Sequence, residues 1–198
     1  MRQRRTIQHS KLKTQNSQFT IQHAPKAHNS KLKIQNSKLM KIRTGFGYDV
    51  HKLVEGRELW LGGIKLDYEL GLLGHSDADV LIHAICDALL GAANMRDIGY
   101  HFPDTAAETL NVDSKILLRK TIDLIATKGY RLGNVDATVC AERPKLNPHI
   151  PEMQRCLAEV MQTDVDNVSI KATTTEKLGF TGRMEGISAY ATVLIEKD

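Results

Sequence analysis

A chain of 198 residues with 41% apolar content is long enough for one domain with a sizeable core. Its formal charge of +4 is unevenly spread: residues 1–40 carry six Lys, three Arg and no acid, so of 27 basic groups 18 remain against 23 acidic ones over residues 41–198. The main body is therefore acidic, which argues against nucleic-acid binding by it, and no apolar run approaches the length needed to cross a bilayer.

Residues 1–40 form a degenerate seven-residue repeat, seen at 9–13, 16–19, 29–33 and 36–39, with one slip near Pro25. A coiled coil is excluded by the spacing, since Leu32, Ile34 and Leu39 stand two and five apart where a seam needs three and four. Rich in Gln, Asn, Ser and Lys, the segment buries too little apolar surface to offset its ordering entropy, so disorder is expected. As a presequence it lacks an apolar stretch for secretion, and as a nucleic-acid tail it offers only Phe19 for stacking. A repeat of seven codons just ahead of Met40 points to a spurious or dispensable extension, with residues 41–198 as the expected domain.

From Ile42 to Val50 the pattern predicts a strand, and Glu58 to Leu66 a short strand or hairpin broken at Gly62-Gly63. Residues 77–93 read as a helix with Val80, Leu81, Ala84, Ile85, Ala88 and Leu89 inward, and Asp77 and Asp79 as caps. The stretch 97–105 is a turn-rich loop. Asp113-Ser114 opens a second helix with Ile116, Leu117, Thr121, Leu124 and Ile125 on one face and Lys128-Gly129 as its stop. A strand over Asn134 to Ala141 precedes a third helix through Met153, Cys156, Leu157, Val160 and Met161, and strands over Val168–Thr173 and Ile187–Ile195 follow. This order predicts an α/β protein of the α+β kind, a single domain with a mixed or mostly antiparallel sheet and helices on one face. No Rossmann fingerprint or Walker loop is present. Cys86, Cys140 and Cys156 read as small buried hydrophobes of a reducing compartment, and the cytoplasm is the expected location.

Asp49-x-His51 on a strand puts both side chains on one face, and His83, a full turn inside the first helix, is the best third ligand. Two His and one Asp with an open fourth position suit a catalytic zinc. Taken alone, Asp-x-His is more often an ordinary structural pair. His75, just ahead of the helix, suits a group that meets a substrate. At the end of the Val168–Thr173 strand, residues 173–183 combine three Thr, Glu176, Lys177, two Gly and Arg183, which is the chemistry of a phosphate and its metal, with a plain hydrophilic turn as the alternative. Residues 141–146 add a proline-stiffened loop and the cation Lys145.

Gly-Tyr-Asp-Val-His at 47–51, Gly-Leu-Leu-Gly-His-Ser-Asp-Ala-Asp-Val at 71–80, Asp-Ala-Leu-Leu-Gly-Ala-Ala at 87–93, Asp-Ile-Gly-x-x-Phe-Pro-Asp-Thr at 97–105 and Lys-Ala-Thr-Thr-Thr-Glu-Lys-Leu-Gly-Phe-Thr-Gly-Arg at 171–183 together resemble the 2-C-methyl-D-erythritol 2,4-cyclodiphosphate synthase family. The resemblance spans residues 41–197 and leaves out the repeat. It implies a phosphorus–oxygen lyase of the non-mevalonate isoprenoid route, closing 4-diphosphocytidyl-2-C-methyl-D-erythritol 2-phosphate to the cyclic diphosphate with release of CMP.

Carried over by position, Asp49, His51 and His83 would hold Zn2+, and Glu176 would reach a second cation, Mg2+ or Mn2+, through the phosphates. His75 and Ser76 would face the reacting phosphates, and Thr174 would stabilise the transition state beside Thr173 and Thr175. Asp97, Ile98, Gly99, Phe102, Pro103, Asp104 and Thr105 would contact the methylerythritol phosphate, while Ala141, Pro144, Lys145 and Leu146 would hold the cytidine, with Phe180 and Arg183 nearby. Ala106 stands where the family often carries Asp. The resemblance also implies a homotrimer with active sites between subunits and a central channel, where Arg183 and Glu185 would meet an isoprenoid diphosphate. A zinc phosphohydrolase and a non-catalytic isoprenoid-binding module are the rival readings.

Overall fold

The computed structural model describes residues 40–103 and 110–198. The repeat, Asp104, Thr105 and Ala106 lie outside the described residues. Strand β1 (Lys41–Val54) lies second in a five-stranded sheet of order β4-β1-β7-β5-β6, completed by β4 (Gly71–Leu73), β5 (Arg131–Cys140), β6 (Val168–Thr173) and the central β7 (Gly186–Lys197). Pairing is antiparallel except between β5 and β6, so the sheet is mixed. A separate hairpin joins β2 (Leu59–Leu61) to β3 (Ile64–Leu66), and Gly62 and Gly63 both have the positive φ that a two-residue turn demands.

Alternation along the sheet sorts its faces. Ile187, Ala189, Ala191, Val193 and Ile195 of β7 are buried on the side that meets the core of α1 (Val80–Ala92), α3 (Ser114–Thr127) and α4 (Ile150–Met161). Opposite these residues β1 places Gly45 and Gly47, and α1 lies directly on them: a Cβ at Gly45 would stand 1.9 Å from the Ala88 carbonyl oxygen, and one at Gly47 2.0 Å from that of Ala84. Asp49 and His51 continue the same face. The other face presents Phe46, Tyr48, Val50 and Tyr190, all exposed, with the Tyr48 and Tyr190 rings 4.9 Å apart.

Several expectations are corrected in detail. The first helix begins at Val80, with Asp79 as its cap; Asp77 lies outside it and accepts the backbone N–H of Ser114 at 3.0 Å, at the start of α3. In α3, Ile116 is exposed and Leu118 is buried, because the inward stripe follows Ser114, Leu117, Leu118, Thr121 and Ile125. The expected loop contains the short helix α2 (Ile98–His101), and α5 (Gly179–Gly182) and β4 are further additions, all too short to carry a period. All three cysteines are free, but only Cys86 is fully buried; Cys140 and Cys156 are half-buried.

Candidate metal centre and its two cavities

The end of β1 and the first turn of α1 meet at Asp49, His51 and His83. Asp49 Oδ2 lies 3.0 Å from His51 Nε2 and 3.1 Å from His83 Nδ1, and the two nitrogens are 3.1 Å apart. These three atoms form a candidate metal-binding group among the described residues. Ligands about 2.0–2.1 Å from a tetrahedral ion stand roughly 3.3 Å from one another, so the observed triangle is close to the size such an ion needs.

Proton bookkeeping points the same way. His51 Nδ1 sits 2.9 Å from the Leu73 carbonyl, which only accepts, so Nδ1 carries the hydrogen and neutral His51 turns its Nε2 lone pair to the triangle. Burial alone would raise the Asp49 carboxyl, but hydrogen bonds and charge from His51 and His83 hold it well below the usual carboxylate range. Burial would lower His51, yet Asp49 raises it above its ordinary value. An anionic oxygen and imidazole nitrogens converging on one point are the donor set of a divalent cation.

Next to this centre is a cavity of about 340 Å3 lined by His51, Gly74, His75, Ser76, His83, Ile98, Gly99, Phe102 and Leu117. Its rim is held to α1: Ile98 N–H donates to Asp87 at 2.7 Å, and Asp97 caps the Tyr100 N–H at 2.8 Å. Asp87 lies one turn beyond His83, so one helix positions both a ligand and the cavity wall. Burial pushes the Asp87 carboxyl above its ordinary value. The Ser76 hydroxyl is nearly buried and lies 3.1 Å from His83 Nε2, so it is engaged with the imidazole as well as bordering the cavity.

A second cavity, of about 240 Å3, is lined by Ala141, Pro144, Lys145, Leu146, Asn147, Ala172, Thr173 and Thr174. Beyond it the Thr174 hydroxyl donates to Glu176 at 3.0 Å, Thr175 Oγ1 donates to the Leu178 carbonyl at 2.7 Å, and Arg183 pairs with Glu185 at 2.8 Å. Phe180, on α5, packs beside Gly186. Both cavities lie at one end of the sheet, because His51 pairs with Ile187, Ser188 with Cys140 and Cys140 with Thr173. His51 on β1 and Thr173 on β6, which border one cavity each, stand three strand spacings apart, roughly 14 Å. Gly74, Leu117, Asn147 and Ala172 line the cavities although the sequence reading gave none of them a role in a site. Glu142 was likewise unmarked, yet it accepts the backbone N–H groups of Thr175 and Lys177 at 3.1 and 3.0 Å.

Fold and site together define a small α/β protein with an Asp-His-His metal-binding group opening on a cavity. The chain belongs to the YgbB family, whose profile matches residues 42–196. A Phocaeicola vulgatus protein named 2-C-methyl-D-erythritol 2,4-cyclodiphosphate synthase is 81% identical over 158 residues, covering 80% of this chain and 99% of its own length. A Bacteroides thetaiotaomicron protein of the same name is 78% identical over 159 residues, covering 80% and 100%. Among solved structures, the bifunctional IspDF of Campylobacter jejuni is 41% identical with a TM-score of 0.78, the match spanning 81% of this chain and 43% of that longer one. IspF of Plasmodium falciparum, solved as a CDP complex, is 37% identical with a TM-score of 0.69 over 79% of this chain and 97% of that one. Among the described residues no helix is long and apolar enough to cross a membrane.

Proposed function

We propose that this chain closes 4-diphosphocytidyl-2-C-methyl-D-erythritol 2-phosphate to 2-C-methyl-D-erythritol 2,4-cyclodiphosphate and releases CMP, within non-mevalonate isoprenoid synthesis. The observation that carries this reading is the Asp49–His51–His83 triangle beside a cavity, in a chain that matches synthases of that name over nearly their whole length. An oxygen of the 2-phosphate attacks the β-phosphorus, the bond from that phosphorus to the bridging oxygen breaks, and CMP leaves with the bridging oxygen. Both ends are already phosphates, so the protein's task is positioning and charge neutralisation. Asp49, His51 and His83 would hold Zn2+ and Glu176 would hold Mg2+ or Mn2+, and these ions would supply positive charge to the reacting phosphates.

The chain's own groups do the rest. His75 faces the phosphates from the cavity wall, and Ile98, Gly99, Phe102 and Leu117 exclude water around the methylerythritol backbone. The 141–146 loop holds cytosine, Lys145 approaches the phosphates, and the Thr173–Thr175 hydroxyls bind the diphosphate, Thr174 stabilising the charge that develops. Two cavities bordered by strands three spacings apart suit a substrate shared between neighbouring chains. The reading therefore includes a homotrimer whose subunits meet on the exposed Phe46, Tyr48, Val50 and Tyr190 face, with Arg183 and Glu185 at a channel that admits an isoprenoid diphosphate. Three free cysteines fit a cytoplasmic protein.

The test is product analysis with metal counting. Wild type is expected to yield cyclic diphosphate plus CMP; an acyclic phosphate instead would favour a hydrolase, and no turnover a binding module. His83→Ala should lose bound zinc and CMP release while keeping its circular dichroism, and full zinc occupancy in that variant would refute the ligand assignment. Glu176→Gln should keep zinc but need far more Mg2+ for half-maximal CMP release; an unchanged Mg2+ dependence would remove Glu176 from the second cation.

A further inference from the structure

We infer that Asp77 and Ser114 are positioning residues that lock His83 into its metal-binding tautomer through a relay of carboxylate, hydroxyl and imidazole. The inference rests on the metal-centre reading above.

The two ring nitrogens of His83 face different surroundings. Nδ1 points into the triangle with Asp49 and His51, while Nε2 lies 3.0 Å from Ser114 Oγ and 3.1 Å from Ser76 Oγ. Ser114 is fully buried, so its hydroxyl hydrogen must go to a protein acceptor. That acceptor is the Asp77 carboxylate. An ionised carboxylate only accepts, so Ser114 donates to Asp77 and turns its lone pairs toward Nε2. Nε2 must then carry the imidazole hydrogen, which leaves the Nδ1 lone pair for a metal. Ser76 Oγ already accepts the Ala78 N–H at 3.0 Å and lies 3.4 Å from Ser114 Oγ, so its own hydrogen can go to Ser114 without disturbing that order.

The relay is rigidly built. Asp77 also accepts the N–H of Ser114 at 3.0 Å and that of Asp79 at 3.2 Å. Its backbone N–H donates to the Val112 carbonyl at 3.1 Å, and Asn111 N–H donates to the His75 carbonyl at 2.7 Å, clipping residues 75–77 to the entry of α3. His51 is oriented by a backbone carbonyl, which substitution cannot remove; His83 is oriented by two side chains 37 residues apart, which substitution can. Outer partners of this kind are worth about 10–100-fold in metal affinity.

The test uses the full chain and Co2+ as a spectroscopic probe, titrated against a chelator. Ser114→Ala and Asp77→Asn are each expected to bind Co2+ about 10–100-fold more weakly, with a shifted visible d–d band. Because the links act in series, the double variant should lose no more than the weaker single one. Metal-free Ser114→Ala should melt within a few degrees of metal-free wild type, and if Asp77→Asn fails to fold, Ser114→Ala decides alone. Wild-type affinity and spectrum in Ser114→Ala, or fully additive losses in the double variant, would overturn the relay while leaving the metal centre standing, provided His83→Ala has lost the ion. Undiminished Co2+ binding by His83→Ala would overturn both.

Discussion

Asp49 and His51 set how the metal-free protein responds to pH. The Asp49 carboxyl is held below its ordinary 3.8, so the stability it contributes is present above that value and is lost as pH falls toward the folded value. His51 is raised above its ordinary 6.5, so its contribution is complete below that value and is lost as pH rises through the folded one. The combined contribution of these two groups is therefore greatest between about pH 4 and 6.5, and His51→Ala should flatten the alkaline decline that chelated protein shows. Thermal unfolding at a series of pH values checks this, and an alkaline slope identical in the variant would refute it. Glu142 acts through backbone instead. Glu176 and Lys177 both have positive φ, a conformation costing about 1–3 kcal/mol for a residue with a side chain, and Glu142 accepts the N–H groups on either side of Glu176. Those hydrogen bonds, that from Lys177 N–H foremost, hold the Glu142 carboxyl below its ordinary range. Glu142→Ala is expected to raise KM and the half-saturating Mg2+ concentration roughly tenfold with zinc content unchanged, and Glu142→Gln, which keeps an acceptor, to fall between.

At the scale of elements, the metal centre depends on how closely α1 lies on β1. Gly47→Ala would drive a methyl into the Ala84 carbonyl, so the helix must lift and carry His83 away from Asp49 and His51. A loss of about 1–3 kcal/mol or more in stability is expected, together with weaker metal binding. Gly91→Ala serves as the contrast: its Cβ would meet nothing nearer than 4.0 Å, so it should leave the metal bound and stabilise the helix by up to about 1 kcal/mol. Denaturant melts with metal titration separate the two. The buried Asp79 works at the same junction, capping Ile82 N–H at 3.1 Å and accepting Gly63 N–H at 2.7 Å, which ties the β2–β3 hairpin to the start of α1. Burial pushes its carboxyl up against the pull of those donors.

For the whole molecule, the three metal ligands come from one chain whereas the two cavities are set apart, so metal binding and turnover should respond differently to assembly. Phe46→Glu, placing a charge on the exposed apolar face, is expected to give a monomer by light scattering that still binds zinc but releases little CMP. A monomer with full activity would show that one chain suffices. Protein begun at Met40 should match the full chain in mass of assembly and rate, since the family match starts at residue 42 and the curated relatives are covered almost completely without the repeat. A large loss on truncation would give the repeat a role.

What the sequence determined by itself was local and periodic. Alternation placed Asp49 and His51 on one face, the apolar spacing of α1 put His83 inside a helix, and β6 was read at its observed bounds because four to eight residues of alternating pattern suffice to mark a strand. Short elements escaped, since α2, α5 and β4 hold only three or four residues each and contain no full period. Ile116 was misplaced because neighbouring apolar residues on a helix leave the inward stripe ambiguous by one position. Only the tertiary structure decided the sheet order, the parallel pairing of β5 with β6, the bond from Asp77 to Ser114 and the grip of Glu142 on the threonine loop. The last three join residues 33 or more positions apart, and such contacts are chosen by the packing of whole elements, which no local pattern encodes.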